Sequence, residues 1–288
     1  DSFQFLLYLF GGLITIFFIL GNMDNGAGEI FSRLYDSGKF TFFNFTGDFI
    51  TDPYLFISAL VGGAFLSLSS HGADYMMVQR VLTTRDLISA RKAMIGSGFF
   101  VFFQFSLFLL AGSLIYSFMG GISIEKDREF STFIVEYLPI GLRGILLAGI
   151  LSAAMSTLSS SINSLASSTI NDWFGGDATV QKSQIVSLIW AAILIGIALV
   201  FDEGDTAIVV MGLQIASFTY GGLLGLFLLS KLDRPFRTES LILGLILSFL
   251  IVFYLKQIGL AWTWFILISV SVNILVAIVS DRIFELIT

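Results

Sequence analysis

Apolar runs of about 17 to 25 residues, separated by short polar clusters, set the rhythm of this chain, and runs of that length span a hydrocarbon core about 30 Å thick. Read against the charged breaks, the pattern predicts eight helices, at roughly 1–23, 54–80, 94–118, 139–170, 183–201, 206–230, 239–256 and 262–281. Pro53 and Pro139 stand at predicted helix starts, where the missing N–H costs little. The 24–52 segment is too long for a tight turn, and it mixes charges with Phe31, Phe40, Phe42, Phe43 and Phe45. It reads as a stretch folded over one face of the bundle, where it would act as a partial lid.

Composition agrees with a bilayer setting. Hydrophobic residues make up 56% of the 288 positions and charged residues 12%, against about 25% charged in soluble domains; mean hydropathy is +0.91. The predicted fold class is an all-α integral membrane protein with about eight transmembrane helices, embedded in the lipid bilayer. Cysteine is absent and one histidine is present, which excludes disulfides, thiolate metal sites and the usual all-protein zinc site. A net charge of −6 offers no basic surface for nucleic acid. No catalytic triad or phosphate-binding loop is evident, so the chain does not read as an enzyme.

Charge also orients the helices. Arg80, Arg85, Arg91 and Lys92 occupy one loop, and Lys231, Arg234 and Arg237 another; cytoplasmic loops hold such excesses. The intervening loops carry acids: Asp24, Glu29, Asp36, Asp48 and Asp52, then Glu125, Asp127 and Glu129, then Asp202, Glu203 and Asp205. Eight spans satisfy every loop with both ends of the chain cytoplasmic. Asp1 leads straight into an apolar run, without an initiating Met or a basic leader, so the chain reads as truncated at its start.

Four places carry polar chemistry inside apolar spans. In the fourth predicted helix, Ala153, Ser156, Thr157, Ser160, Ser164 and Ser167 recur at spacings of three and four, and so share one face. Such a stripe presents neutral oxygens to a hard cation such as sodium without burying full carboxylate charge. It also lets two helices pack closely, the commoner use of small residues in membranes, and spacing alone leaves both readings open. In the second helix, Gly62, Gly63, Ser67, Ser69, Ser70, His71, Gly72 and Asp74 interrupt the apolar run and predict a broken helix, a device that frees backbone groups for ligands. Asp74 would cost about 3 kcal/mol at a helix centre, so it faces water or a partner, or else pairs with a cation of the nearby loop. Asp1 and Gln4 lie one turn apart at the start of the first helix, and Gln214 sits among Gly212, Ser217, Thr219 and Tyr220 in the sixth, facing a cavity or bonding across helices.

Three stretches, in order along the chain, together resemble the sodium:solute symporter family. Pro139-Ile140-Gly141-Leu142-Arg143-Gly144, followed by Ala153-Ala154-Met155-Ser156-Thr157-Leu158, Ile162-Asn163-Ser164 and Asp172, is close to the family's signature helix. Gly72-Ala73-Asp74 with Val78-Gln79-Arg80 is similar to its Gly-Thr-Asp-Gln and Gln-Arg pattern, from which Ala73 and Tyr75 depart. Asp1-Ser2-Phe3-Gln4 with Gly11-Gly12 looks like the start of its fifth core helix.

The resemblance implies an inverted five-helix-repeat transporter fold, of which this chain is a fragment. Residues 1–288 would form a single transporter domain, with 1–23 the end of the first repeat, 54–230 the second repeat and 239–288 peripheral helices. It further implies sodium-coupled symport of a small organic solute, a sugar or related solute, by alternating access across the plasma membrane. The sodium ion would be held by Ala153, Ser156 and Thr157, with Asp1 contributing to a second sodium site, and the solute by Ser67, Ser70, His71, Asp74 and Gln214. The rival reading is a membrane-embedded sensor domain of a signalling protein, which a kinase-like extension after Thr288 would favour.

Overall fold

The computed structural model describes residues 2–23, 26–121, 127–176, 179–201 and 206–287. Those residues form helices α1 (Ser2–Asn22), α2 (Ala27–Asp36), α3 (Phe56–Gly72), α4 (Tyr75–Leu82), α5 (Leu87–Phe118), α6 (Glu129–Tyr137), α7 (Ile140–Trp173), α8 (Val180–Val200), α9 (Ile208–Leu229), α10 (Thr238–Gln257) and α11 (Phe265–Ile287). A 3-10 turn, Trp262–Trp264, leads into α11. Among the described residues seven helices are long and apolar enough to cross a membrane, and the bent pair α3–α4 passes the same test when joined, as a broken span or a re-entrant loop. The predicted rhythm of spans is therefore present. Asp24, Glu125, Asp202, Glu203 and Asp205, on which part of the orientation argument rests, lie outside the described residues.

Two differences from the expected boundaries have local causes. The span expected from 94 starts at Leu87, because Asp86 caps it: its Oδ1 accepts the Ser89 N–H at 2.7 Å. Arg91 and Lys92 thus lie on a helix rather than in a loop. The segments expected to be irregular contain two short helices, each with a small buried face, Ile30 and Leu34 on α2 and Phe133 and Ile134 on α6.

The chain divides into two compact units, Asp1–Lys39 with Phe99–Ala207, and Phe40–Gly98 with Ile208–Thr288. In the first unit α7 packs against α1, α6 and α8. Gly149 faces Leu7, a Cβ on Gly11 would come within 2.8 Å of Leu146, and one on Gly12 would collide with Leu107, so α1 lies closely on its neighbours. Phe133 is fully buried within an aromatic cluster of Phe18, Phe118 and Tyr137.

In the second unit α9, α10 and α11 pack mutually, and α3 lies on α9 and on the 3-10 turn. Leu224, Ile266 and Val270 form a core into which Phe65, Leu66, Tyr220 and Phe227 pack. Small residues let these backbones approach, as is usual between membrane helices. A Cβ on Gly225 would come within 2.5 Å of Asn273 Oδ1, one on Gly244 within 2.8 Å of the Asn273 carbonyl oxygen, and one on Gly62 within 2.6 Å of the Thr263 carbonyl oxygen. The Phe40–Leu55 stretch is pinned to the start of α11: Trp264 Nε1 donates to the Phe49 carbonyl at 3.0 Å, the Ala261 N–H to that of Ile50 at 2.8 Å, and the Phe49 and Trp264 rings lie 4.7 Å apart. At the far end of α11, Asp281 is 1% exposed and pairs with Arg234 at 2.6 Å while accepting the Arg237 N–H at 2.9 Å.

Candidate functional site

In the first unit the hydroxyl-rich helix is α7. Pro139 precedes it in an extended conformation, φ −57° and ψ 148°, and supplies the expected entry. The helix ends where Gly175 and Gly176 take positive φ, 67° and 80°, and the Phe174 and Gly176 N–H groups both return to the Ile170 carbonyl. Between these ends Ala153, Ser156, Thr157, Ser160, Ser164 and Ser167 fall within an arc of about 100°.

Towards the C-terminal end Ser167 Oγ accepts from Asn171 at 3.3 Å, while Thr169, on the opposite face of the helix, accepts Trp190 Nε1 of α8 at 2.9 Å. Towards the middle the stripe opens. Ala153, Thr157 and Ser161 line a cavity of 560 Å³ with Tyr8 of α1, Ile150 and Leu194 of α8. Ala153 is buried, Ser156 half-buried and Thr157 exposed. The structure thus brings two of the three predicted α7 residues to one cavity, with Ser156 one residue round the helix. Asp1, and the Gln4 side chain, fall outside the described residues. Tyr8, unnoticed in the sequence, supplies a phenol ring to the same cavity. Hydroxyl and carbonyl oxygens in an otherwise apolar setting are the donor set a hard alkali cation accepts, with no proton transfer and no charged ligand.

A second cavity adjoins it, and a third adjoins the second. Tyr8 and Ile150 also wall an apolar chamber of 270 Å³ completed by Leu7, Gly11, Gly12 and Leu146. That chamber's Phe108 and Phe130, an edge-to-face pair at 6.0 Å, also border a larger pocket of 620 Å³ carrying Lys39, Tyr116, Asp127 and Glu129.

In the second unit the expected break in the second span occurs at Ala73–Asp74, where α3 and α4 bend by 61°. The Ala73 and Asp74 N–H groups both turn back to the Ser69 carbonyl and end α3. Asp74 then starts α4 as its N-cap: Oδ1 accepts the Met76 and Met77 N–H groups at 2.9 and 3.2 Å, the arrangement expected of a capping carboxylate. Its other oxygen, Oδ2, accepts the Tyr220 hydroxyl of α9 at 2.8 Å. Of the two sequence readings the partner reading holds, and the partner is a phenol rather than a loop cation.

His71 Nδ1 lies 3.0 Å from the Ser67 carbonyl and 3.3 Å from Ser70 Oγ, so these three candidate residues share the last turn of α3. Ser67 is exposed, and Ser70 and His71 are half-buried. Gln214 lies on the α9 face that also bears Ser217, Gly221 and Gly225, whereas Tyr220, Leu224 and Phe227 form the face that meets α3 and α4. The structure gathers Ser67, Ser70, His71 and Asp74 at the break and leaves Gln214 on a different face of its own helix.

Comparison with known proteins bears on the family of the chain. The sequence profile of the sodium:solute symporter family matches residues 1–247. A sodium/sialic acid symporter of Proteus mirabilis is 26% identical, the match covering 85% of this chain and 53% of that protein. One of Aliivibrio fischeri is 24% identical over 89% of this chain and 54% of its own length, and the human sodium-coupled monocarboxylate transporter 1 is 26% identical over 80% and 40%. The chain spans about half the length of the curated relatives it matches. With a family profile covering most of its residues, a broken span where the sequence places one and a hydroxyl-bearing signature helix, the chain belongs to the sodium:solute symporter family.

Proposed function

We propose that this chain is the sodium-binding and solute-facing half of a secondary transporter that couples inward sodium movement to symport of a small organic solute. The observation that carries this reading is the cavity at which Ala153 and Thr157 of the signature helix meet Tyr8 of α1. Ala153, Ser156 and Thr157 supply carbonyl and hydroxyl oxygens to sodium, completed by groups outside this chain, and Asp1 contributes to a second sodium site. The solute contacts Ser67, Ser70 and His71 beside the helix break, with Asp74 and Gln214 shaping that region. The solute is a sugar or a related acid; two relatives are named for sialic acid and another for monocarboxylates.

In this reading 1–23 closes a first repeat, 54–230 forms the inverted second repeat and 239–288 are peripheral helices. The basic loops face the cytoplasm, both ends of the chain lie inside, and the protein sits in the plasma membrane. Each sodium ion crossing a potential of 100 mV contributes about 2.3 kcal/mol before its concentration gradient is counted. Sodium binding favours the arrangement that accepts solute, and rocking of helix bundles then exposes both to the other side.

The test is uptake by the full-length protein in vesicles, with and without a sodium gradient, over a panel of sugars, sialic acids and monocarboxylates, beside Ser156→Ala and Thr157→Ala. Sodium-dependent uptake, with at least a tenfold rise in the sodium concentration for half-maximal rate in either variant, is the expected result. Uptake indifferent to sodium, or unchanged in both variants, overturns the assignment.

A further inference from the structure

We propose that Tyr220 is a positioning residue that fixes the angle of the α3–α4 break, so that α4 swings only when the hydrogen bond between Tyr220 and Asp74 is released. The argument starts at the carboxylate. Its two oxygens are divided between two helices: Oδ1 holds the first turn of α4 through the Met76 and Met77 N–H groups, and Oδ2 takes the Tyr220 hydroxyl of α9 at 2.8 Å. A single side chain therefore sets both where α4 begins and what it rests on. α9 meets the other side of the break as well, since Gly72, the last residue of α3, lies 3.7 Å from the Phe227 ring by its would-be Cβ. Tyr220 and Phe227 are two turns apart on one face of α9, with Leu224 between them in the core that holds Phe65 and Leu66 of α3.

α9 is itself fixed. On its other side Gly221, Gly222 and Gly225 approach Ser269, Leu245 and Asn273 so closely that a Cβ would meet each of them. The bend of 61° thus rests on a helix packed closely on its far side, and the one polar tie described between that helix and α4 is the phenol–carboxylate bond. A half-buried O–H donor to a carboxylate is among the stronger side-chain hydrogen bonds, and it makes or breaks as a unit, which is what a two-state element requires.

The consequence for transport rests on the reading above: the turn bearing Ser67, Ser70 and His71 ends at this break, so the bond holds the candidate solute contacts in one arrangement. The geometric claim does not rest on it and is tested separately. In the full-length protein, spin labels at Gln79→Cys on α4 and Lys231→Cys just beyond α9, both exposed positions of the second unit, report the angle as a distance distribution; this chain contributes no cysteine of its own. Tyr220→Phe removes the hydroxyl alone. Asp74→Ser keeps an N-cap oxygen but is too short to reach Tyr220 as well.

Both variants are expected to populate a second distance, with the ratio of the two arrangements shifted on the order of three- to tenfold, the size measured for hydrogen bonds between membrane helices. The double variant is expected to shift it no further, and maximal uptake to change while the sodium concentration for half-maximal rate does not. Unchanged distances in Tyr220→Phe, or additive shifts in the double variant, overturn the proposal whether or not sodium-coupled uptake is found. If Asp74→Ser fails to fold, Tyr220→Phe alone decides.

Discussion

Removal of Arg234 is the sharpest test of how the second unit is held together. Asp281 is 1% exposed, and its carboxylate meets the Arg234 guanidinium at 2.6 Å and the Arg237 N–H at 2.9 Å; the Arg234 side chain is 29% exposed and lies over Phe236 at 4.4 Å. At an effective dielectric of about 20 and a charge separation of about 4 Å, the attraction is about 4 kcal/mol. Desolvation of the carboxylate offsets much of it, so the intact pair contributes little net stability. Deleting one partner is different, because the carboxylate stays buried without its counter-charge, at a typical cost of about 3–5 kcal/mol. Here the Arg237 N–H remains and water reaches the guanidinium side, which places Arg234→Met near the lower end, about 3 kcal/mol. That corresponds to a fall in melting temperature on the order of 6–10 °C, read by tryptophan fluorescence in detergent. Arg234→Met combined with Asp281→Leu removes both charges and is expected to be more stable than Arg234→Met alone. A fall below about 2 °C in the single variant, or a double variant destabilised by the sum of its parts, would refute the argument that a buried uncompensated charge is what costs stability.

The other predictions concern caps and close approaches. The Ser89 N–H donated to Asp86 holds that carboxyl below its ordinary value of 3.8, so capping of α5 persists above that pH and is lost as pH falls below it through the folded value; amide exchange at the start of α5 should accelerate below about pH 3.8, and Asp86→Ser should abolish that pH dependence. Gly244→Ala should lower stability by about 1–3 kcal/mol in the same melting assay, because the new methyl meets the Asn273 carbonyl, whereas Gly196→Ala on α8, with open space around it, should be neutral or stabilising. Trp264→Phe should lose about 1 kcal/mol with the Phe49 hydrogen bond and raise proteolysis of the Phe40–Leu55 stretch.

The spans were legible because a bilayer imposes one length on every apolar run, and the break in the second span because His71 and Asp74 follow a Gly- and Ser-rich stretch within it, and a carboxylate is costly in hydrocarbon. The short helices α2 and α6 were not legible: ten and nine residues with two buried side chains each carry too weak a pattern for a reading tuned to membrane-spanning lengths. Tyr220 as the partner of Asp74 was out of reach for another reason, since 146 positions separate them and nothing local in either stretch points to the other. Asp281 left a faint signal, an acid near the end of an apolar run, but its cation lies 47 positions away. The hydroxyl stripe was visible as a pattern, while the cavity beside Ala153 and Thr157 was not, because its other walls, Tyr8 and Leu194, belong to α1 and α8.

The buried polar face of α11 bears on how the protein is made. Ser269, Asn273, Ser280 and Asp281 all point inward there, and α10 meets them with Ser240, Gly244 and Ser248. A helix released singly into the bilayer would expose that face to acyl chains at a cost that grows with each amide and carboxyl. Only residues 258–261 and the 3-10 turn separate the two helices, short enough for both to leave the insertion machinery together as a hairpin. α9 precedes the hairpin in synthesis, so the side of the hairpin that packs against α9 meets a partner already made.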